Sequence, residues 1–168
     1  MGIDPGLRVT GYGVIFQQNQ SARYIASGII KTSNDEGNLA SRIKIILSGL
    51  TQVIEQFQPE VVAIEKVFVN TNPQSTLLLG QARGAAIAAA VLKDLDVFEY
   101  TALQIKKSVV GKGHATKNQV QVMIQRLLNL PSIPSTDSAD ALACGICHAN
   151  ISNSLSNLGV GNRMKGGR

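Results

Sequence analysis

Four acidic residues stand at positions where a folded chain seldom places a carboxylate. Asp4 ends a short apolar segment, and Glu65 interrupts the apolar run 61–67, which is typical of a strand buried on both faces. Asp137 and Asp140 open a helical segment at spacing i, i+3, so both side chains project from one face of its first turn. Burial of an unpaired carboxylate costs several kcal/mol in practice. Each of these residues therefore needs a partner or a chemical function.

Three of the four residues also have a simpler structural explanation. Asp4 could cap the turn that follows it, and Asp137 and Asp140 could complement the dipole of their helix. No such explanation suits Glu65. The sequence indicates no buried cation that could pair with it, and the adjacent Lys66 points to the opposite face of the strand.

Convergence of the four carboxylates at one end of a sheet would predict a metal site. Acidic groups within a few ångströms repel one another unless cations lie between them. Sites made only of oxygen ligands suit Mg²⁺ or Mn²⁺ rather than Zn²⁺. Two such ions ~3.5–4 Å apart stabilise the attacking and leaving oxygens of phosphoryl transfer. The carboxylates therefore favour a metal-dependent phosphodiesterase.

Positive charge is concentrated in one segment. The chain carries a formal net charge of +5, and residues 100–136 contain five basic residues and no acidic one. Such a segment usually binds a polyanion, although a solvated helix face is the simpler explanation. Because it directly precedes Asp137, nucleic acid bound there would lie on the carboxylates. The basic residues are Lys106, Lys107, Lys112, Lys117 and Arg126.

Length and composition exclude several classes of protein. The 168 residues fit one domain, and 44% apolar against 16% charged residues excludes disorder throughout. No apolar run approaches the ~18–20 residues that span a bilayer, and no signal peptide is visible. Two cysteines without a secretory signal favour a reducing compartment, so we expect a cytoplasmic protein without disulfides. A shift to Ser, Asn and Gly predicts a domain over residues 1–151 and a disordered basic tail over 152–168.

Apolar periodicity and turn residues predict the element order β-β-β-α-β-α-β-α-α. The first three strands have short connections and should form an antiparallel meander, with the later strands parallel. This order indicates an α/β fold in three layers, a mixed five-stranded sheet with helices on both faces. The predicted strands are 2–4, 9–17, 22–32, 61–67 and 96–100, and the predicted helices are 39–57, 75–95, 116–129 and 136–151.

Two local patterns point to other chemistry and were rejected. The segment 144–148 (CGICH) matches the pattern for c-type haem attachment, but it lies within a predicted helix and lacks an export signal. Buried cysteines are the better interpretation, since no second ligand pair exists for zinc. The Asp4-Pro5-Gly6 turn is similar to the phosphate loop of actin-like and sugar-kinase ATPases, which need two such domains. His114 could contact phosphate, but an ordinary loop histidine is the default.

Several short blocks of the sequence form a recognisable set. In order and spacing, from residue 1 to about residue 150, they resemble the RuvC family of bacterial Holliday junction resolvases. Each block alone is weakly specific, whereas the set is highly specific. The blocks are GIDPG at 2–6, GYG at 11–13, AIEKVF at 63–68, GQARG at 80–84, KKSVVG at 106–111 and DSADALA at 137–143.

The resemblance implies an RNase H-like fold and assigns roles to particular residues. The family's four catalytic acids match Asp4, Glu65, Asp137 and Asp140, which would hold two Mg²⁺, with Mn²⁺ as a substitute. Family lysines near the scissile phosphate match Lys106 and Lys117, and an aromatic that reaches into the open centre of the junction matches Phe68. An ordinary core or loop aromatic is the alternative for Phe68. We expect Lys107 and Lys112 to bind DNA as well.

The resemblance also implies an assembly and a reaction. The family acts as a homodimer in which each protomer cuts one of two strands of like polarity in a four-way junction. In-line attack by a metal-activated water leaves 5′-phosphate and 3′-hydroxyl ends, and the enzyme works with RuvA and RuvB. The Ala/Gly-rich helix from Ser75 matches the dimer interface, although it could instead pack on its own sheet.

Two other functions remain open at this stage. An RNase H-like nuclease could act on another substrate, such as an RNA–DNA hybrid, and Phe68 and the block 80–84 argue against it. A module that binds junctions without cutting them would have no reason to keep the four acids together. One departure from the family concerns the first strand. Only Met1 precedes Gly2 here, where relatives have several apolar residues, so either the first strand is short or the true start of the chain lies further upstream.

Overall fold

The computed structural model describes residues 1–18, 21–33, 37–67 and 72–157. Five strands and five helices lie within these ranges. The strands are β1 (Gly2–Asp4), β2 (Val9–Gln18), β3 (Ser21–Lys31), β4 (Val61–Glu65) and β5 (Asp96–Tyr100). The helices are α1 (Leu39–Phe57), α2 (Pro73–Val91), α3 (Ala102–Val110), α4 (Lys117–Leu127) and α5 (Thr136–Asn157).

The strands form one mixed sheet in the order β3-β2-β1-β4-β5. β1, β2 and β3 pair antiparallel, while β4 pairs parallel with both β1 and β5. β1 has three residues, Gly2–Asp4. The predicted mixed sheet, with its antiparallel meander followed by parallel strands, is confirmed.

Helices cover both faces of the sheet and complete three layers. On one face, α1 and the alanine-rich side of α2 pack over Ile3, Val62 and Ile64, which are fully buried. On the other face, α5 lies against the sheet, with α3 and α4 packed against it from outside. Because α5 is enclosed on both sides, its middle turns are buried all round.

Glycines in β1 and β2 let α5 approach the sheet closely. A Cβ atom at Gly11 would lie 2.1 Å from the backbone oxygen of Asp137, and one at Gly2 would lie 2.0 Å from that of Ala141. A Cβ atom at Gly13 would lie 2.7 Å from the Leu142 side chain. We call Gly2, Gly11 and Gly13 the glycine platform. It brings the first turn of α5 directly over the ends of β1 and β2.

One helix was missed by the sequence analysis. The periodicity predicts no helix between 100 and 116, whereas α3 occupies residues 102–110. Its N-terminus has a capping box: Thr101 Oγ1 accepts from the Gln104 N–H, and the Gln104 side chain accepts from the Thr101 N–H. This Thr-x-x-Gln spacing was visible in the sequence and was the available evidence for the helix.

Several helix ends also differ from the prediction. α2 ends at Val91 rather than Leu95, because Asp94 adopts a left-handed conformation and Leu95 N–H bonds back to Ala90. α4 ends before Asn129, which is likewise left-handed.

α5 continues to Asn157, past the predicted end at Ile151. The Asn150 side chain donates to Ser108 of α3, and this contact connects the later part of α5 to its neighbouring helix. A domain boundary after residue 151 stays a prediction. Although α5 has 22 residues, no helix in the described ranges is long and apolar enough to cross a membrane.

Candidate active site

Two of the four carboxylates lie side by side at one edge of the sheet. β1 ends at Asp4 and β4 ends at Glu65, and the two strands are parallel neighbours. Their register pairs Gly2 with Ala63 and Ile3 with Ile64, so Asp4 and Glu65 come next on adjacent strands. Side chains alternate along a strand, so both carboxylates share the α5 face with Gly2 and Ala63.

The first turn of α5 brings the other two carboxylates to the same edge. Gly11 pairs with Asp4 across the β1–β2 ladder, and the backbone of Asp137 packs directly on Gly11. Asp140 lies one turn further along the same helix face. The glycine platform therefore positions both helix carboxylates over the two strand carboxylates.

The electrostatics of Asp4 show that the four groups are neighbours. The pKa of Asp4 is raised from 3.8 to about 7, mainly because the carboxyl group is buried. The negative charges of Asp140, Glu65 and Asp137 raise it further, in that order. Lys117 acts in the opposite direction but does not offset these effects. Asp4 therefore lies in a negative and poorly solvated environment.

Glu65 and Asp140 show the same effect. Burial raises the pKa of both carboxyl groups, and the charge of Asp140 adds to the effect on Glu65. Lys106 and Lys117 lower both pKa values without reversing the direction. Lys117 Nζ lies 3.7 Å from Asp140 Oδ2, but its side chain is 71% exposed, so solvent screens this ion pair. The two lysines leave the site with an excess of negative charge.

The donor set fits a hard divalent cation. All four side chains offer carboxylate oxygens, which are the ligands that Mg²⁺ and Mn²⁺ prefer. A cation between the four groups would also relieve their mutual repulsion. Within the described ranges, however, no three His, Cys, Asp or Glu side chains are arranged to hold an ion as they stand.

The predicted DNA-binding residues separate into three groups. Lys106 of α3 and Lys117 of α4 lie near enough to the carboxylates to lower the pKa of Glu65 and Asp140. Lys107 and Lys112 are exposed on α3 and on the α3–α4 loop. Phe68 lies outside the described residues.

The CGICH segment is part of the core. Cys144 and Cys147 are buried free thiols, as expected, and burial raises the pKa of both. His148 Nδ1 forms a 2.8 Å hydrogen bond with Tyr100 Oη and its ring packs against Phe98. These contacts connect α5 to β5.

The sheet order and the central helix define an RNase H-like protein, with a cluster of carboxylates at one edge of its sheet. A family model described as "Crossover junction endodeoxyribonuclease RuvC" matches residues 1–148. The chain belongs to the RuvC family, whose nucleases are metal-dependent endonucleases.

Individual relatives are similar in sequence to this chain over almost its whole length. The crossover junction endodeoxyribonuclease RuvC of Methylobacillus flagellatus is 61% identical over 100% of this chain and 96% of the relative. The one of Nitrosomonas eutropha is 59% identical over 99% of this chain and 93% of the relative. Among solved structures, T. thermophilus RuvC in complex with a Holliday junction substrate superposes with a TM-score of 0.84 at 32% identity. That match covers 95% of this chain and 94% of the other.

Proposed function

We propose that this chain is a Holliday junction resolvase that cuts a four-way DNA junction by paired symmetric nicks during recombination and repair. The observation that carries the proposal is the group of four neighbouring carboxylates at the sheet edge, bordered by Lys106 and Lys117. Family membership and the similar fold of an RuvC in complex with a junction support this choice of substrate.

Asp4, Glu65, Asp137 and Asp140 are the residues that would hold two Mg²⁺, or Mn²⁺ as a substitute. Bound ions of this kind supply Lewis acidity and an activated water for phosphodiester hydrolysis. The chain places its acids on two strand ends and one helix turn, so their relative positions depend on the packing of α5 on the sheet. The proposed products carry 5′-phosphate and 3′-hydroxyl ends.

Lys106 and Lys117 are proposed to offset the charge that develops on the scissile phosphate. Both already interact with the carboxylates, so a phosphate at the site would lie near them. The exposed Lys107 and Lys112 are proposed to contact the DNA backbone. Phe68 is proposed to reach into the open centre of the junction.

We also propose that the protein is a homodimer that associates through α2. Leu77 and Val91 on this helix are 69% and 56% exposed. A Cβ atom at Gly80 or Gly84 would contact nothing within 4 Å, so a second helix can approach the backbone closely there. The alanines on the opposite side of α2 are buried in the chain's own core. One side of α2 thus packs in the chain's own core, and the other side carries the proposed dimer contact.

RuvA and RuvB are the proposed partners in branch migration, on the strength of family membership alone. The cytoplasm is the proposed location, and the two free cysteines are consistent with its reducing conditions.

Cleavage of three DNA substrates tests the proposed function. The protein is incubated with Mg²⁺ and a four-way junction, a linear duplex or an RNA–DNA hybrid. Paired symmetric nicks in the junction alone are expected. Equal or greater cutting of the hybrid would make the protein a nuclease for that substrate. Tight junction binding without cutting would make it a binding module.

A further inference from the structure

Buried polar side chains are concentrated around one loop. The buried polar or charged side chains in the described ranges belong to Thr10, Thr32, Arg42 and Ser138. The first three all bond to the backbone of residues 6–8, the loop that leads from Asp4 into β2. Ser138 lies on α5 between the two helix carboxylates.

Thr10 holds both polar backbone groups of Gly6. Its hydroxyl, on a fully buried side chain, donates to the Gly6 carbonyl at 2.8 Å and accepts from the Gly6 N–H at 3.3 Å. A Cβ atom at Gly6 would lie 2.3 Å from the Val9 carbonyl oxygen, so the turn is too tight for any other residue.

Thr32 and Arg42 hold the next two residues of the loop. The Leu7 carbonyl accepts from Thr32 Oγ1 and from Arg42 Nη2, the latter at 3.1 Å. Arg42 Nε donates to Thr32 Oγ1 at 2.9 Å, which orients the hydroxyl toward Leu7. The Thr32 N–H donates to the Arg8 carbonyl at 2.9 Å. Three consecutive carbonyls, from residue 6 to residue 8, are therefore fixed by groups from β2, from Thr32 directly after β3, and from α1.

A turn that only reverses the chain does not need this arrangement. Burial of a guanidinium group is costly, and apolar side chains can fill the same volume at lower cost. Asp4, however, ends a strand of three residues and is repelled by Asp140 and Glu65. Restraint of the backbone on both sides of such a residue helps to keep its carboxylate in position against the repulsion. β1 provides the restraint before Asp4, and the loop bonds provide it after.

We propose that Thr10, Thr32 and Arg42, here named the loop latch, are positioning residues that hold the Asp4 carboxylate for its role in the acidic site. The inference rests on the proposed function, because it takes Asp4 as part of the catalytic site. The loop latch acts through the backbone of residues 6–8, to which its side chains bond.

Hydroxyl deletion in the full-length chain tests the loop latch. The variants Thr10→Val and Thr32→Val each remove one hydroxyl, and Thr10→Ser and Thr32→Ser keep it. The control is Thr51→Val, because the Thr51 hydroxyl donates to the Leu47 carbonyl at 2.8 Å within α1, away from the loop. The measurements are hydrogen exchange of the Gly6 amide, Mn²⁺ binding by calorimetry, and single-turnover junction cleavage beside junction affinity.

In Thr10→Val, the Gly6 amide loses its acceptor and should exchange at least about tenfold faster. In both valine variants, half-saturation should require several-fold more Mn²⁺. Cleavage should fall about tenfold while junction affinity changes less than about twofold. Displacement of the Asp4 carboxylate slows the chemical step much more than it weakens binding of the junction. The serine variants and Thr51→Val should match the wild type in all three measurements.

Faster exchange with normal Mn²⁺ binding and cleavage would overturn the proposal, since the loop would then be held for stability alone. Unchanged Gly6 exchange in Thr10→Val would overturn it too, because the Thr10 hydroxyl would not hold the loop. If the wild type cut no junction, only the proposed function would fail, since exchange and Mn²⁺ binding still report on the loop latch. A valine variant that fails to fold is replaced by Arg42→Lys, judged by the same measurements.

Discussion

α5 and α2 lie on opposite faces of the molecule, and glycine serves each of them differently. Under α5 the glycines belong to the sheet, and any Cβ atom on Gly2 or Gly11 would overlap the helix backbone. On α2 the glycines belong to the helix, and a Cβ atom on Gly80 or Gly84 would contact nothing. One set of glycines closes a contact inside the chain, and the other leaves room for a contact outside it.

The difference separates the two requirements of a resolvase. The four carboxylates come from three elements, so their geometry depends on the tight packing of α5 on the glycine platform. Symmetric cutting instead requires two copies, and a smooth exposed helix face permits them to associate. Substitutions on each face should therefore affect different measurements.

The largest expected effect is on the α5 face, at the acidic site itself. Asp4→Asn removes one proposed metal ligand and should reduce junction cleavage by a factor of about 10³ or more. Binding to the junction should survive, because the lysines that would contact phosphate are unchanged. Cleavage assays and mobility shifts in parallel measure the two. Normal cleavage by the variant would exclude Asp4 from the site.

Substitution of the glycine platform should have the next largest effect on cleavage. Gly11→Ala places a Cβ atom 2.1 Å from the Asp137 carbonyl oxygen, so the first turn of α5 must move. Overpacking of this kind costs about 1–3 kcal/mol of unfolding free energy, and cleavage should fall because Asp137 and Asp140 shift with the helix. Urea denaturation and cleavage rates measure the two effects. Normal cleavage would show that the site tolerates displacement of α5.

The pH dependence of stability should reveal the repulsion at the acidic site. The pKa of Asp4 is raised in the folded state, so the folded protein binds this proton more tightly than the unfolded chain. Without metal, Asp4 should therefore lower the unfolding free energy as pH rises from about 4 to about 7. A pKa raised from 3.8 to about 7 limits the effect to about 4 kcal/mol.

Asp4→Asn lacks this titration and is the matched comparison. The stability difference between the variant and the wild type should grow in favour of the variant as pH rises through that range. Denaturation in EDTA at several pH values measures it. At pH 8, Mg²⁺ should stabilise the wild type more than the variant. A constant difference across pH would show that Asp4 is not in a repulsive environment.

The sequence predicted the carboxylates better than the structure that surrounds them. Glu65 stood out because a charge inside an apolar run has few explanations, and this information is local. The contact of Gly11 with Asp137 joins residues far apart in the chain, so no local pattern could reveal it. Arg42 presents the same difficulty, since an arginine on an amphipathic helix usually faces solvent but is 9% exposed here.

Helix α3 was missed for a different reason. It is only nine residues long and buries just Ile105 and Val109, too few positions for a helical period to be apparent. The capping box at Thr101 and Gln104 carried the information instead. Short helices are thus better predicted from their capping residues than from the periodicity of their apolar residues. This matters here because α3 carries Lys106.

The smallest expected effect is on α2, and it has two opposite parts. Gly84→Ala should raise the unfolding free energy of the monomer by about 0.5–1 kcal/mol, because alanine favours the helix and its Cβ atom contacts nothing. The same methyl group should weaken self-association, since it keeps a second helix from the backbone. Denaturation at low concentration and sedimentation over a concentration series separate the two parts.

Gly49→Ala on α1 is the control for the α2 substitution. It gains the same helix propensity, but its Cβ atom would lie 2.9 Å from Ile30 Cδ1 in the core. It should therefore stabilise the monomer less than Gly84→Ala and leave self-association unchanged. Equal self-association of the wild type and Gly84→Ala would exclude this face of α2 from the dimer interface. The presence of glycine at these exposed positions would then need another explanation. The tight glycine contacts under α5 would be unaffected by that result, because they are made entirely within one chain.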